Sequence, residues 1–282
     1  MTNLVHPLVS EEETGVVEAA DRTDLWLPLL QRLTEQYPGW AVWKNVASAF
    51  AGTGDVDSFA PPEVWPDIQR TFEAWVGEQD ALGPVIICRH IPQGPHFITL
   101  QVGSPYIVQL DVKERGTFRG STLIDAWDLQ RLSEMDPRGF RRVRPGVEGV
   151  IKLCMNGMQR GGQPNPEGLR VKRVAELLSS DPEGVDAAAE LLGPAADALR
   201  RGARAVVDGG WDQRAMRMVD AWSLARSVAE PRVALSRLWF LYYQAARCPV
   251  VSLIRDGDRR VPDDRDAWLR EIAKDHQVFA VN

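Results

Sequence analysis

Three strand-like runs, "VIICRHI", "HFITLQV" and "YIVQLDVKE", follow one another at residues 85–91, 96–102 and 106–114, separated only by "PQGP" and "GSP". Runs rich in β-branched and aromatic residues between Gly/Pro turns predict hairpins, and hairpins commit this part of the chain to a sheet. Helical patterns precede them. "TDLWLPLLQRLTEQYPG" places Trp26, Leu29, Leu30 and Leu33 on one face, with Thr23 or Asp24 as a cap and Pro38-Gly39 as a stop. "PPEVWPDIQRTFEAWVGEQD" carries Val64, Ile68, Phe72 and Trp75 on one stripe and keeps its prolines in the first turn, where a helix tolerates them. Between these two, "WAVWKNV" reads as a strand, followed by a turn and a second short strand from Asp55 to Phe59. "STLIDAWDLQRLSEM" reads as a further helix.

Beyond "RPGVEGVIKLCMNGMQRG" the strand signal nearly disappears, and helical patterns such as "GLRVKRVAELLSS" and "ALSRLWFLYYQAAR" dominate. The expected organisation is an acidic lead-in over 1–22, an α/β domain over 23–145 and an all-helical domain over 146–282. The fold class is therefore α+β.

A net charge of -6 argues against bulk attraction to nucleic acid or to an anionic membrane. No apolar run approaches the roughly 18–20 residues that cross a bilayer, and "MTNLVHPLVSEEETG" has neither a basic nor an apolar leader region, so a cytoplasmic protein without membrane partners is expected. Three widely separated cysteines, Cys88, Cys154 and Cys248, form no disulfide framework and agree with a reducing compartment. Cys88, His90 and His96 in "CRHIPQGPH" lack a fourth ligand for zinc. Of the ten tryptophans, Trp26, Trp65, Trp75 and Trp127 fall at helical apolar positions and are read as core rather than as a base-stacking platform.

The chemistry concentrates in "AFAGTGDVDSFAP", where Asp55 and Asp57 stand one residue apart behind a Gly-Thr-Gly turn. Side chains two apart on a strand share a face, so the two carboxylates share a small volume. At ~4 Å two like charges repel by about 1 kcal/mol in water and several times more at a lower dielectric, which calls for a cation between them. On this reasoning, loss of the Asp57 charge would relieve the metal-free protein. Mg²⁺ fits best, as an ion that takes hard oxygen ligands from one or two carboxylates and completes its shell with water and substrate phosphate; Mn²⁺ is the alternative. A third acid, Asp111, lies in the middle of the otherwise apolar "YIVQLDVKE", where an ionised carboxylate needs a partner. Lys113 or Arg115 would satisfy it if it were merely structural.

The order of helix, strand, D-x-D, helix, strands and a lone Asp on a later strand resembles the nucleotidyltransferase superfamily, the DNA polymerase beta-like or minimal nucleotidyltransferase fold. Asp55-Val56-Asp57 matches its paired acids and Asp111 in "QLDVK" its third. Lys44-Asn45 stands where the superfamily has a glycine pair, and Ser58 follows Asp57 where an apolar residue is usual. The match spans about residues 24–135.

The resemblance implies a mixed sheet with flanking helices and a two-metal transfer of a nucleoside monophosphate from an NTP such as ATP to an acceptor hydroxyl or phosphate on a small molecule, RNA or protein. Asp55 and Asp57 would hold Mg²⁺ against the triphosphate, and Asp111 would serve the second ion and the acceptor oxygen. Lys44, Asn45, Ser48, Thr53, Gly54 and, from the helical half, Lys152 would neighbour the nucleotide. Arg138, Arg141, Arg142 and Arg144 in "RGFRRVRP" are candidates for meeting phosphate at the domain junction. Two rivals stand beside this reading. One is a D-x-D glycosyltransferase that holds a metal against a nucleotide-sugar diphosphate. The other is a catalytically degenerate nucleotidyltransferase-fold binding module.

Overall fold

The computed structural model describes residues 21–44, 46–83, 85–90, 94–101, 106–236, 238 and 252–255; for 85–90, 130 and 252–255 only the backbone is considered. The lead-in up to residue 20, Asn45, Cys248 and the side chains of Cys88 and His90 lie outside this set.

The N-terminal half begins with helix α1 (Thr23–Gln36), strand β1 (Ala41–Lys44), short helix α2 (Val46–Phe50), β2 (Val56–Phe59) and α3 (Trp65–Gly77). The three expected strands follow as β3 (Val85–His90), β4 (Gly94–Leu100) and β5 (Ile107–Lys113). Next come β6 (Arg115–Phe118), β7 (Ser121–Asp125), α4 (Leu129–Leu132), β8 (Ser133–Met135) and β9 (Arg141–Val143). Helices α5 (Pro145–Met155), α6 (Val171–Ser180), α7 (Pro182–Glu190), α8 (Ala196–Val207) and α9 (Gln213–Ala229) complete the second half, before a last described strand, β10 (Ser252–Arg255).

Eight strands form one mixed sheet in the order β10-β3-β4-β5-β2-β1-β9-β8, and β6 and β7 form a separate hairpin. The β2–β5 and β1–β9 pairs are parallel and the remaining pairs of the sheet are antiparallel. The fold is thus α+β, as the sequence implies.

Apolar alternation along the strands sends side chains to two cores. On one face Val42, Val56, Leu110 and Val112 pack with Trp26, Leu29 and Leu33 of α1 and with Ile68, Phe72 and Trp75 of α3. The rings of Trp26 and Trp75 stack at 6.0 Å. On the other face Trp43 and Phe59 stack at 5.6 Å and join Val147, Val150, Ile151 and Cys154 of α5. The helical half therefore packs on the second face.

Three expectations need correction. The segment 121–135 is not a helix: Arg119 (φ 55°) and Gly120 (φ 85°) form a tight left-handed turn that matches hairpin twist, so Ser121–Asp125 folds back on β6. Only α4 of that stretch is helical, after Asp125 caps a 3₁₀ turn by accepting from the Trp127 and Asp128 amides. Trp127 rides on that turn and is 69% exposed, so it is not core, whereas Trp26 and Trp75 are fully buried. Finally, the second half is helical from α5 through α9, yet β10 within it is a strand that pairs with β3 across the expected boundary.

Candidate metal centre

Asp57 and Asp111 stand directly across from each other in the parallel β2–β5 ladder. Asp55, two residues before Asp57, ends the loop leading into β2. Each of the three acids offers a carboxylate oxygen within 4.8 Å of the others. Among the described residues this is the one group of three or more acidic, His or Cys side chains so placed. The acids share their sheet face with Phe59, and thus border the core that α5 covers.

The loop 51–54 explains the Gly-Thr-Gly turn. Gly52 takes φ 67°, a conformation suited to glycine, and Gly54 packs so closely on Ser48 that a Cβ there would meet the Ser48 Cβ at 2.9 Å. Thr53 donates inward, its amide to the Ser48 carbonyl at 2.9 Å and its hydroxyl to the same oxygen at 3.3 Å. Tyr106 pins the loop from below, donating to the Gly54 carbonyl at 3.0 Å and accepting from the Trp26 indole at 2.9 Å. In this state the Ser48, Thr53 and Gly54 set works as a tight connection that aims Asp55, with the Thr53 donors turned into the loop.

Three basic groups reach the acids. Lys44 lies across from Asp57 where an irregularity between Val42 and Lys44 shifts the β1 register, and its Nζ is 3.2 Å from Asp57 Oδ2. Lys113, two residues beyond Asp111 and so on the same face, places Nζ 3.1 Å from Asp57 Oδ1 and 3.8 Å from Asp111 Oδ2. His96, across from Asp111 in the β4–β5 ladder, brings Nδ1 within 2.9 Å of Asp111 Oδ1. Gln109 donates to that same oxygen at 2.8 Å. Asp57 and Asp111 are only 1% and 4% exposed, so their charges need these partners. Asp57 is therefore held by two ammonium groups, and relief on losing its charge, the expectation from the sequence, does not fit this arrangement.

Electrostatics separate the acids. Burial, and then repulsion from Asp57 and Asp111, raises the Asp55 carboxyl above its ordinary value, with Lys44 opposing. Burial also acts to raise Asp111, but His96, Lys113 and the Gln109 hydrogen bond outweigh it and bring that carboxyl down to about 2. Lys113 is raised despite its own burial, because Asp57 and Asp111 favour its charge.

The donor set suits a hard divalent cation. Octahedral bonds of ~2.1 Å put two oxygens at most about 4.2 Å apart, so modest side-chain rotations draw the carboxylates into range. A cation entering there meets the Lys113 ammonium, which must give way.

Beside the acids opens a cavity of about 760 Å³. Trp43, Phe59, Lys113 and Arg115 line its sheet side, Arg119 and Gly120 its hairpin side, and Met155, Arg160 and Leu224 its helical side. Lys152 is not part of this wall; one turn before Met155 on α5, it pairs with Glu148 at 2.7 Å. The arginine cluster is likewise taken up in structural contacts. Arg138 binds Asp136 at 2.8 Å, Arg142 binds Glu134 at 2.8 Å, Arg141 donates to Ser133, and Arg144 Nε reaches Asp181 Oδ2 at 3.1 Å. Burial pushes the Cys154 thiol up to about 12, which removes it as a nucleophile.

His96 is the site residue that sequence reasoning passed over as a partner of the acids; Lys113 was expected beside Asp111, and its shorter contact is with Asp57. Hairpin register held the signal for His96. No helix among the described residues is long and apolar enough to cross a membrane. No protein-family model matches the chain, and no curated protein or solved structure does.

Proposed function

We propose that the protein is a divalent-metal-dependent nucleotidyltransferase that moves a nucleoside monophosphate from an NTP to an acceptor hydroxyl or phosphate. The observation that carries this reading is the convergence of Asp55, Asp57 and Asp111 from β2 and the neighbouring parallel β5 beside a cation-lined cavity. Bound Mg²⁺ would neutralise phosphate charge and lower the barrier to attack at phosphorus. Asp55 and Asp57 hold the ion on the triphosphate side. Asp111, aligned by His96 and Gln109, holds the acceptor side. A carboxylate that stays ionised at neutral pH serves there as a ligand and a fixed negative charge rather than as a proton acceptor. Lys44 is placed to bind phosphate once a metal satisfies Asp57.

A second reading, a non-catalytic nucleotidyltransferase-like module, draws on the ion pairs of Lys44 and Lys113 with Asp57, which neutralise the cluster without any metal. One experiment separates the two. The protein is incubated with Mg²⁺ and each α-labelled NTP in the presence of small-molecule, RNA and protein acceptors, and melting is followed in parallel. Label transfer that is lost in Asp55→Asn and Asp111→Asn supports the enzyme. An NTP shift without transfer, with or without Mg²⁺, identifies the module. Neither shift nor transfer overturns both.

A further inference from the structure

Lys113 belongs to two environments at once. Its ammonium bridges Asp57 and Asp111, and its side chain also lines the 760 Å³ cavity. Trp43 and Phe59 line the cavity beside Lys113, and Arg115, paired with Glu114, lies on the same wall. Arg119 is committed elsewhere, to Asp220 and to the Met158 carbonyl.

We propose that Lys113 is a displaceable counter-cation: a divalent metal entering the acid cluster takes its place on Asp57 and Asp111, and the freed ammonium turns into the cavity to bind the phosphate of a phosphorylated ligand. This rests on the reading of Asp55, Asp57 and Asp111 as a metal centre, and adds to it a coupling between cation and anion. The physical basis is competition. The ammonium and the metal cannot both satisfy the same carboxylate oxygens, and an ammonium released from two carboxylates seeks another anion nearby. Metal binding thus makes the phosphate site, and phosphate in turn stabilises the metal-bound form, as linkage requires.

The test uses Mn²⁺ alone, then Mn²⁺ with inorganic pyrophosphate, on the full chain. Binding is read by titration calorimetry and by the Mn²⁺ spin-resonance signal, for the wild type, Lys113→Met, Lys113→Gln and Asp55→Asn. Removal of the competing charge is expected to tighten Mn²⁺ alone by roughly tenfold or more in both Lys113 variants, the scale of one charge in a partly buried site. Pyrophosphate is expected to tighten Mn²⁺ in the wild type, and this gain is lost in the Lys113 variants. A second measurement needs no variant. Acetylation of Lys113 in the wild type, read by mass spectrometry, should be slow without metal and rise when Mg²⁺ is added.

If the wild type binds Mn²⁺ and Asp55→Asn does not, but the Lys113 variants bind Mn²⁺ no more tightly and keep the pyrophosphate gain, the displacement is refuted while the metal centre stands. An acetylation rate unchanged by bound metal refutes it equally. If neither the wild type nor either Lys113 variant binds Mn²⁺, the metal reading falls and the proposal falls with it.

Discussion

Ser58, the residue after Asp57, donates its hydroxyl to the backbone carbonyl of Asp111 at 2.8 Å. The residue that departs from an apolar pattern therefore ties together the two strands that carry the acids. Because the bond is fully buried, Ser58→Ala should destabilise the fold by about 1–2 kcal/mol, measured by urea denaturation. Unchanged stability would mean that the ladder alone fixes the separation of Asp57 and Asp111.

Asp55 and Asp57 should respond to neutralisation in opposite directions. Asp55 suffers burial and the repulsion of two other acids, so Asp55→Asn is expected to raise stability by about 1 kcal/mol in EDTA at neutral pH. Asp57 is held by Lys44 and Lys113, so Asp57→Asn is expected to lower it by about 3 kcal/mol, the low end for breaking a buried ion pair, since Asp55 and Asp111 remain to face the lysines. Melting of the two variants side by side checks the sign, and equal shifts would contradict the assignment of partners.

Asp181 joins the two halves of the helical region. It accepts from Arg144, from the Gly146 amide at the start of α5 and from the Gly184 amide at the start of α7. Burial works against its ionisation, but these bonds prevail and lower its carboxyl below its ordinary value. A depressed folded-state value means that the contribution is complete above the unfolded value and fades as pH falls through the folded one. The stability gap between wild type and Asp181→Asn should hold from pH 7 to about 5 and close below about 3.8. A gap that widened on acidification would reverse the sign and refute the arrangement.

Gly146 sits where a Cβ would lie 2.1 Å from the Asp181 carbonyl and 2.6 Å from the Val185 amide nitrogen. Both are backbone atoms and cannot swing aside. Gly146→Ala should therefore push α5 and α7 apart at a cost near the top of the ~1–3 kcal/mol typical of overpacking. Calorimetric melting would show it, and an unshifted transition would refute the close approach.

Much of this was legible in the sequence. Apolar periodicity located α1 and α3, the Gly/Pro turns located β3, β4 and β5, and the burial cost of a mid-strand aspartate singled out Asp111. What escaped depended on registers that only pairing reveals. His96 meets Asp111 because the β3–β4 hairpin sets the β4–β5 ladder, and Lys44 meets Asp57 through a shifted register. Ser121–Asp125 misled because Leu123, Ile124 and Trp127 fall at helix-compatible spacing, while the deciding signal, the Arg119-Gly120 turn, is two residues long. The arginines of "RGFRRVRP" looked available although Asp136 stands two residues from Arg138 and Glu134 meets Arg142 across the β8–β9 hairpin; only Asp181 reaches Arg144 through tertiary packing.

The pairing of β10 with β3 sets Ser252 against Cys88 and Arg255 against Val85. Protein synthesis delivers these partners far apart in time. When β3 and β4 have left the ribosome, the outer edge of β3 still presents unpaired amides and carbonyls, and it stays open while the whole run from α5 to α9 is made. Such an edge is a template for a strand from a neighbouring nascent chain. The four residues of β10 thus act as a late seal. The interval before they arrive is when the edge of β3 is most exposed to mispairing.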